Sequence, residues 1–266
     1  MTIRLDDDLA LARTLAAHAD LISMRRFTAQ DFTVTTKPDR TPVTEADREV
    51  EKAIREGITA ARPHDAILGE EFGSTGEQSG EGRPHRQWII DPIDGTANFL
   101  RGVPIWGTLI ALAIDGVPQV GVVSAPALGQ KWWAATGHGA YTQRAGAHET
   151  QIHVSKVSTI ADAVVSYNSL PGWIDAGRGD NAIALATSSW RARAIGDMWA
   201  YMLVAEGAID VATECDLQPY DMAALIPIVT EAGGRFTDID GNDGPWHGTA
   251  CATNGLLHDD VLAVLK

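Results

Sequence analysis

Asp91 and Asp94 flank a proline in the run Trp88-Ile89-Ile90-Asp91-Pro92-Ile93-Asp94-Gly95-Thr96, an apolar strand that ends in an acidic turn. Two carboxylates leaving one strand end, with the Thr96 hydroxyl beside them, form an oxygen-only donor set. Such donors suit a hard cation such as Mg²⁺, which takes carboxylates and waters in octahedral geometry and keeps room for a phosphate. Pro92 fixes its own φ, and Gly95 permits a conformation that brings backbone N–H groups close to a ligand. An ordinary solvated turn is the competing account. An aspartyl-phosphate mechanism is another, because Asp94-Gly95-Thr96 matches the tail of Asp-x-Asp-Gly-Thr. There the nucleophile would fall at Pro92, which cannot attack phosphorus, so covalent catalysis is excluded unless Asp91 replaces it in altered geometry.

Further acids stand elsewhere. Gly69-Glu70-Glu71 closes another short strand, where adjacent carboxylates repel unless a cation or separate orientations intervene. Successive side chains on an extended segment point oppositely, so Glu70 is expected to face the metals and Glu71 to lie behind it; solvation of both is the alternative. Asp221 follows Pro219-Tyr220 at a helix start, and Asp47 takes the third position of another helix. Capping and the helix dipole explain either acid as well as metal binding does.

The elements that must position these groups alternate along the chain. Leu11, Leu15, Ala19 and Ile22 recur at helical spacing behind Asp6 to Asp8, and Thr44 caps a second helix with Asp47 in a capping-box arrangement, ended by Arg62-Pro63. Strands are expected at Ala66 to Gly69, Trp88 to Asp91, Thr108 to Ile114, Val120 to Ser124, Ala163 to Tyr167, Arg191 to Ile195, Ile209 to Thr213 and Arg235 to Ile239. Asp115 to Pro118 makes the reversal of a hairpin. Helices are expected at Met198 to Glu206, Asp221 to Ala232 and from Leu256. Gly73 to Arg86, rich in Gly, Ser and charge, is the one expected flexible stretch.

With 266 residues, 45% of them hydrophobic, the chain can bury a substantial core, and no internal repeat or long linker divides it. Its net charge of −14 repels polyanions, which argues against nucleic acid and anionic membranes as partners. If the substrate is itself an anionic phosphate ester, something cationic must sit locally in the site. Met1 to Asp8 is acidic, unlike a secretory leader, and no segment has the apolar length of a membrane span, so a cytoplasmic enzyme is expected. Cys215 and Cys251 lack Cys-x-x-Cys spacing and read as reduced core residues.

Gly69-Glu70-Glu71, Asp91 to Thr96 and Tyr220-Asp221-Met222-Ala223-Ala224 together resemble the motifs of the inositol monophosphatase family. Thr44-Glu45-Ala46-Asp47 and Thr230-Glu231-Ala232-Gly233-Gly234 also stand in family positions. The resemblance spans the first helix to the last. It implies a mixed α/β fold, an alternating αβαβα sandwich, acting as a single catalytic unit over residues 1–266. Residues 1–150 would form the metal-binding half and residues 151–266 the half that completes the substrate pocket. It also implies a homodimer.

By the same resemblance Glu70, Asp91 and the Ile93 carbonyl hold one Mg²⁺, and Asp91, Asp94 and Asp221 a second, with two or three ions per site. Thr96, hydrogen-bonded to Asp47, would orient the water, and the N–H groups of Gly95 and Thr96 would hold phosphate. Within the family, Arg101 to Trp106, Ser124 to Leu128, Trp132 to Ala134, Leu203 to Ala208 and Ala252 to His258 are similar to the actinobacterial histidinol-phosphate phosphatases. Ala97, Tyr220 and Met198-Trp199 depart from common family residues.

That similarity implies L-histidinol phosphate as the small-molecule monoester, with inositol phosphate, fructose bisphosphate or a nucleotide 3′-phosphate as alternatives. The leaving group of histidinol phosphate carries an ammonium and an imidazole, so its pocket calls for an acid not committed to metal. Glu214 and Asp197 are the candidates, beside Asp94 and Asp221. A strand-end surface charge and a helix N-cap are their respective bland explanations.

Overall fold

The computed structural model describes residues 5–30, 34–36, 42–76 and 85–266. Its largest sheet follows from side-chain alternation. In the Gly107–Ile114 strand, Leu109, Ala111 and Ala113 face one side, and Ile110, Leu112 and Ile114 the other, all of them buried. A continuous apolar run of this kind marks a strand covered on both faces. Trp132 and Ala134 against Trp133 and Ala135, in the Gln130–Ala135 strand, divide the same way.

Eight strands form this sheet, in the order Thr150–Gln151, Ala140–Arg144, Gln130–Ala135, Val117–Ala125, Gly107–Ile114, Arg86–Asp94, Ala66–Gly69 and Gly73–Thr75. Its neighbours are antiparallel except Ala66–Gly69 with Arg86–Asp94. A second sheet of five strands runs Arg191–Arg193, Val164–Ser166, Val211–Cys215, Thr249–Thr253 and Arg235–Thr237.

Three hydrophobic clusters fix the layering. Helices Leu5–Ala29 and Glu45–Ala61 cover the outer face of the larger sheet, packing Ala12, Leu15, Val50 and Ile54 on Trp88 and Ile110. Helices Asp197–Ala205 and Leu225–Glu231 fill the space between sheets, joining Leu109 and Trp132 to Ala212 and Phe236 through Met198, Val204 and Ile228. Helices Leu170–Asp175, Gly179–Ser188 and His258–Leu265 close the far side, with Trp173, Leu185 and Leu262 against Val165, Val211 and Cys251. The order is αβαβα, as the family resemblance implies. No helix among the described residues is long and apolar enough to cross a membrane.

Three local expectations change. The reversal at Asp115 to Pro118 is a tighter two-residue turn, Asp115 and Gly116 both adopting positive φ, and the next strand already begins at Val117. The helix expected from Asp221 to Ala232 is two helices, Pro219–Met222 and Leu225–Glu231. Pro227 has no N–H for the Ala223 carbonyl and its ring crowds that carbonyl, so the chain breaks at Ala223 and Ala224. The Ala224 carbonyl then packs where a side chain at Gly121 would be, 2.1 Å from an ideal Cβ. Of the stretch Gly73 to Arg86, Gly73–Thr75 is a strand paired with Ala66–Gly69 and residues 77–84 lie outside the described ones. Both cysteines are buried and unbonded, in keeping with core thiols.

Candidate active site

In a regular strand, residues three apart face opposite sides. Asp91 and Asp94 escape this because the ladder shifts register between them: Asp91 opposes Leu109, whereas Asp94 opposes Gly107. Three steps on one strand match two on the other, a β-bulge that turns Asp94 back to the side of Asp91. Thr108 Oγ1 donates to the Pro92 carbonyl at 2.8 Å, and the Ile93 N–H donates to Asp91 Oδ1 at 3.0 Å, which fixes the bulge. The parallel neighbour brings in Glu70, since Gly69 pairs with Ile90 and the Glu70 N–H donates to the Ile90 carbonyl at 3.2 Å. Two parallel strands therefore deliver their acids at one edge.

The carboxylates converge in two groups. Oxygens of Asp91, Asp94 and Asp221 lie within 4.8 Å of one another, and so do oxygens of Asp47, Glu70 and Glu71. Asp221 and Asp47 also cap helices: Asp221 Oδ2 accepts the Gln218 N–H at 2.7 Å, and Asp47 Oδ2 accepts the Thr44 N–H at 2.8 Å and hydroxyl at 2.6 Å. Capping and convergence are thus compatible, because one oxygen of each acid satisfies the cap. The other Asp47 oxygen faces Thr96 Oγ1 at 3.4 Å, a long contact, while the same hydroxyl sits 3.0 Å from the Ile93 carbonyl. Glu71 has its carboxylate 3.8 Å from Arg48. Gly95, at φ 83°, opens the Thr96–Leu100 helix, and a Cβ there would meet the Ile105 carbonyl at 3.0 Å and the Asp197 carboxylate at 3.2 Å.

Electrostatics show what such a site needs. Burial pushes Asp91 well above the usual carboxylate range, and repulsion from Glu70, Asp94, Asp221 and Asp47 pushes it further. Asp94 is raised in the same way, by burial and then by Asp197 and Asp221, although the Met198 N–H donates to its Oδ2 at 2.5 Å. Burial also raises Asp47, against the Thr44 hydrogen bonds. Buried carboxylates held this close must take up protons or share a cation. The donors are all hard oxygens, so the set fits Mg²⁺-like chemistry.

Beside these acids lies a cavity of about 180 Å³ reaching Asp94, Asp197, Met198, Tyr201, Glu214 and Asp221. Glu214 takes a hydrogen bond from the Asn168 side-chain amide and one from Tyr201 Oη at 3.2 Å. Burial, with repulsion from Asp197 and Asp221, pushes Glu214 up to about 8. Asp197 accepts from Asn98 Nδ2 at 2.7 Å and is raised by burial to about 6. Both acids therefore face the cavity instead of serving as an outer surface charge or a simple cap. A larger hollow, about 620 Å³, sits by Lys52, Arg55 and Phe72, but it holds no convergent acids.

Sequence reading passed over Glu51, Asn98, Asn168 and Tyr201, whose partners at the site lie 13 to 99 residues away. Only Glu51 had a signal available: it lies four residues after Asp47 and shares its helix face.

Residues 4–266 match the family model of the inositol monophosphatase family. Over 264 residues the chain is 52% identical to the histidinol-phosphatase of Streptomyces coelicolor, covering 98% of this chain and 97% of that one. It is also 52% identical over 260 residues to the histidinol-phosphatase of Mycobacterium tuberculosis, covering 98% of each. Among solved structures, the IMPase of Thermotoga maritima superposes with a TM-score of 0.84 at 30% identity, over 97% of this chain and 96% of that one.

Proposed function

We propose that this chain, which belongs to the inositol monophosphatase family, is a Mg²⁺-dependent phosphomonoesterase that hydrolyses L-histidinol phosphate to L-histidinol and phosphate in histidine biosynthesis. The observation that carries the substrate is the acid Glu214, half-buried in a cavity shared with Asp94 and Asp221 and held by two neutral donors. A cationic leaving group is what such a carboxylate would pair with. The names of the two relatives at 52% identity support the same substrate.

Glu70, Asp91 and the Ile93 carbonyl would hold one Mg²⁺, and Asp91, Asp94 and Asp221 a second; the group of Asp47, Glu70 and Glu71 offers a place for a third. Bound there, the ions would lower the pKa of a water and neutralise charge on the phosphoryl oxygens and the leaving oxygen. The chain's own residues do the positioning. The Thr96 hydroxyl has one proton and two acceptors, the Ile93 carbonyl and Asp47 Oδ1. Turned toward Asp47, it keeps its lone pairs for the proton of an attacking water, and Asp47 is the base at the end of that short relay. N–H groups of Gly95 and Thr96 would hold the phosphate, which needs no Lys or Arg. Asp197 and Glu214 would hold the ammonium and imidazole.

Residues 1–266 work on this reading as one unit, residues 1–150 supplying Asp47, Glu70, Asp91 and Asp94, and residues 151–266 supplying Asp197, Glu214 and Asp221. We place the protein in the cytoplasm as a homodimer, to be checked by light scattering of the purified chain. Phosphate release from L-histidinol phosphate, inositol monophosphate, fructose bisphosphate and a nucleotide 3′-phosphate, with Mg²⁺ added or chelated, tests the whole. Turnover should be fastest on histidinol phosphate and vanish on chelation. A preference for inositol phosphate overturns the substrate, and activity that survives chelation overturns the metals.

A further inference from the structure

The turn that presents Glu70 and Glu71 is tied to the sheet on one side, by the Glu70 N–H to the Ile90 carbonyl, and to a helix on the other. It emerges from the Ala66–Gly69 strand and returns as Gly73–Thr75, and its inner N–H groups point at the helix Glu45–Ala61. There Glu51, fully buried, accepts the Glu71 N–H on Oε2 at 2.6 Å and the Phe72 N–H on Oε1 at 3.2 Å. Arg55, one helical turn on, donates Nε to Glu51 Oε1 at 2.7 Å, Nη1 to Thr75 Oγ1 at 2.8 Å and Nη2 to the Gly73 carbonyl. The Phe72 ring lies over the guanidinium, 5.9 Å from ring centroid to Cζ. Gly69 makes room, since a Cβ there would fall 2.0 Å from Glu51 Oε1.

We propose that Glu51, its charge balanced by Arg55, is the positioning residue that fixes the Glu70–Glu71 turn against the helix bearing Asp47 and so sets the cation affinity of the site. The proposal rests on the metal assignment given above. Glu51 need not touch a cation. Its two oxygens bind the N–H groups of Glu71 and Phe72, and the turn so held offers Glu70 and Glu71 carboxylate oxygens within 4.8 Å of one of Asp47. Glu51 is wholly buried and Arg55 keeps 12% of its side chain exposed, so the Glu51 carboxylate is shielded while the Arg55 bonds to Gly73 and Thr75 lie at the surface. Groups that hold a metal ligand from behind typically alter metal affinity by roughly 10- to 100-fold when removed.

Glu51→Gln keeps the shape but loses the charge and one of the accepted bonds. The test is Mn²⁺ binding to metal-free protein, followed by electron paramagnetic resonance of free Mn²⁺, beside the Mg²⁺ dependence of turnover. Glu51→Gln should bind Mn²⁺ about tenfold more weakly and need correspondingly more Mg²⁺ for half-maximal rate, with kcat at saturating Mg²⁺ within about twofold of wild type. A lowered melting temperature with unchanged Mn²⁺ affinity overturns the proposal, because it leaves Glu51 a merely structural residue. If Glu51→Gln is not recovered folded, Arg55→Lys is read the same way: it keeps the charge opposite Glu51 but loses the fork to Gly73 and Thr75, so a loss of affinity of about threefold supports the proposal and wild-type affinity overturns it. Wild-type protein that binds no Mn²⁺ at all would instead remove the metal assignment beneath it.

Discussion

Asp91 stands where both proposed cation sites meet, so removing its charge weakens both at once. Asp91→Asn should abolish turnover at any Mg²⁺ concentration while the melting temperature stays level or rises, because relief of repulsion among buried carboxylates offsets the lost ligand. Phosphate release and a thermal melt read the two effects separately, and near-normal Mg²⁺-dependent turnover would sink the bridging assignment. Glu214 predicts selectivity instead. A charge-assisted hydrogen bond contributes about 1.5–3 kcal/mol, so Glu214→Gln should lower kcat/KM on histidinol phosphate by roughly ten- to a hundredfold and leave a neutral ester nearly untouched. Equal slowing on both esters would remove Glu214 from substrate recognition. The acids themselves were legible from type and neighbours, Asp91 and Asp94 from their strand-end turn, Glu70 from its strand. The amide of Asn168 and the hydroxyl of Tyr201 were not, because nothing local in sequence marks a polar group that holds an acid distant in the chain, and the Tyr201 ring also packs in the core against Phe236.

At the scale of elements, the bulge at Pro92-Ile93 shows where periodicity stops being informative. Strand alternation alone would separate Asp91 from Asp94, and only the register shift against Leu109 and Gly107 reunites them. Long apolar runs such as Gly107–Ile114 were readable because burial on both faces leaves no competing pattern. Short or polar strands such as Thr150–Gln151 carry no such signature and went unread. The break in the helix after Asp221 was written in Pro227, yet it becomes visible only once Ala223 and Ala224 are seen between two helices. That break seats the Ala224 carbonyl against Gly121. Gly121→Ala should therefore force backbone apart in the layer between the sheets and destabilise the protein by about 1–3 kcal/mol, measured by urea denaturation. An unchanged midpoint would mean that the helix pair can slide on the sheet.

For the molecule as a whole, the three packed clusters make the outer layers matter to stability as much as the site. His258, wholly buried at the start of the last helix, sits between Thr237 Oγ1 at 2.9 Å and Thr253 Oγ1 at 3.1 Å. Burial, with Arg235 nearby, lowers it to about 4. The folded imidazole stays neutral down to that pH while the unfolded one takes a proton near 6.5. Stability from this residue is therefore whole above pH 6.5 and lost as pH falls toward 4, by at most about 3 kcal/mol. The raised acids Glu214 and Asp197 act with opposite sign, so the measurement is the difference between wild type and His258→Gln in denaturation midpoint across that range. A difference independent of pH would refute the neutral buried imidazole. Carboxylates from the larger sheet and from the helices of Asp47 and Asp221 repel one another until a cation joins them. A ligand that binds only the folded chain stabilises it by mass action, about 2.7 kcal/mol at a hundred times its dissociation constant. Melting should therefore rise by roughly 5–10 °C between chelator and saturating Mg²⁺. On the proposed metal assignment, the chain's lifetime in a cell would then track free magnesium, and its abundance would report the supply of that ion.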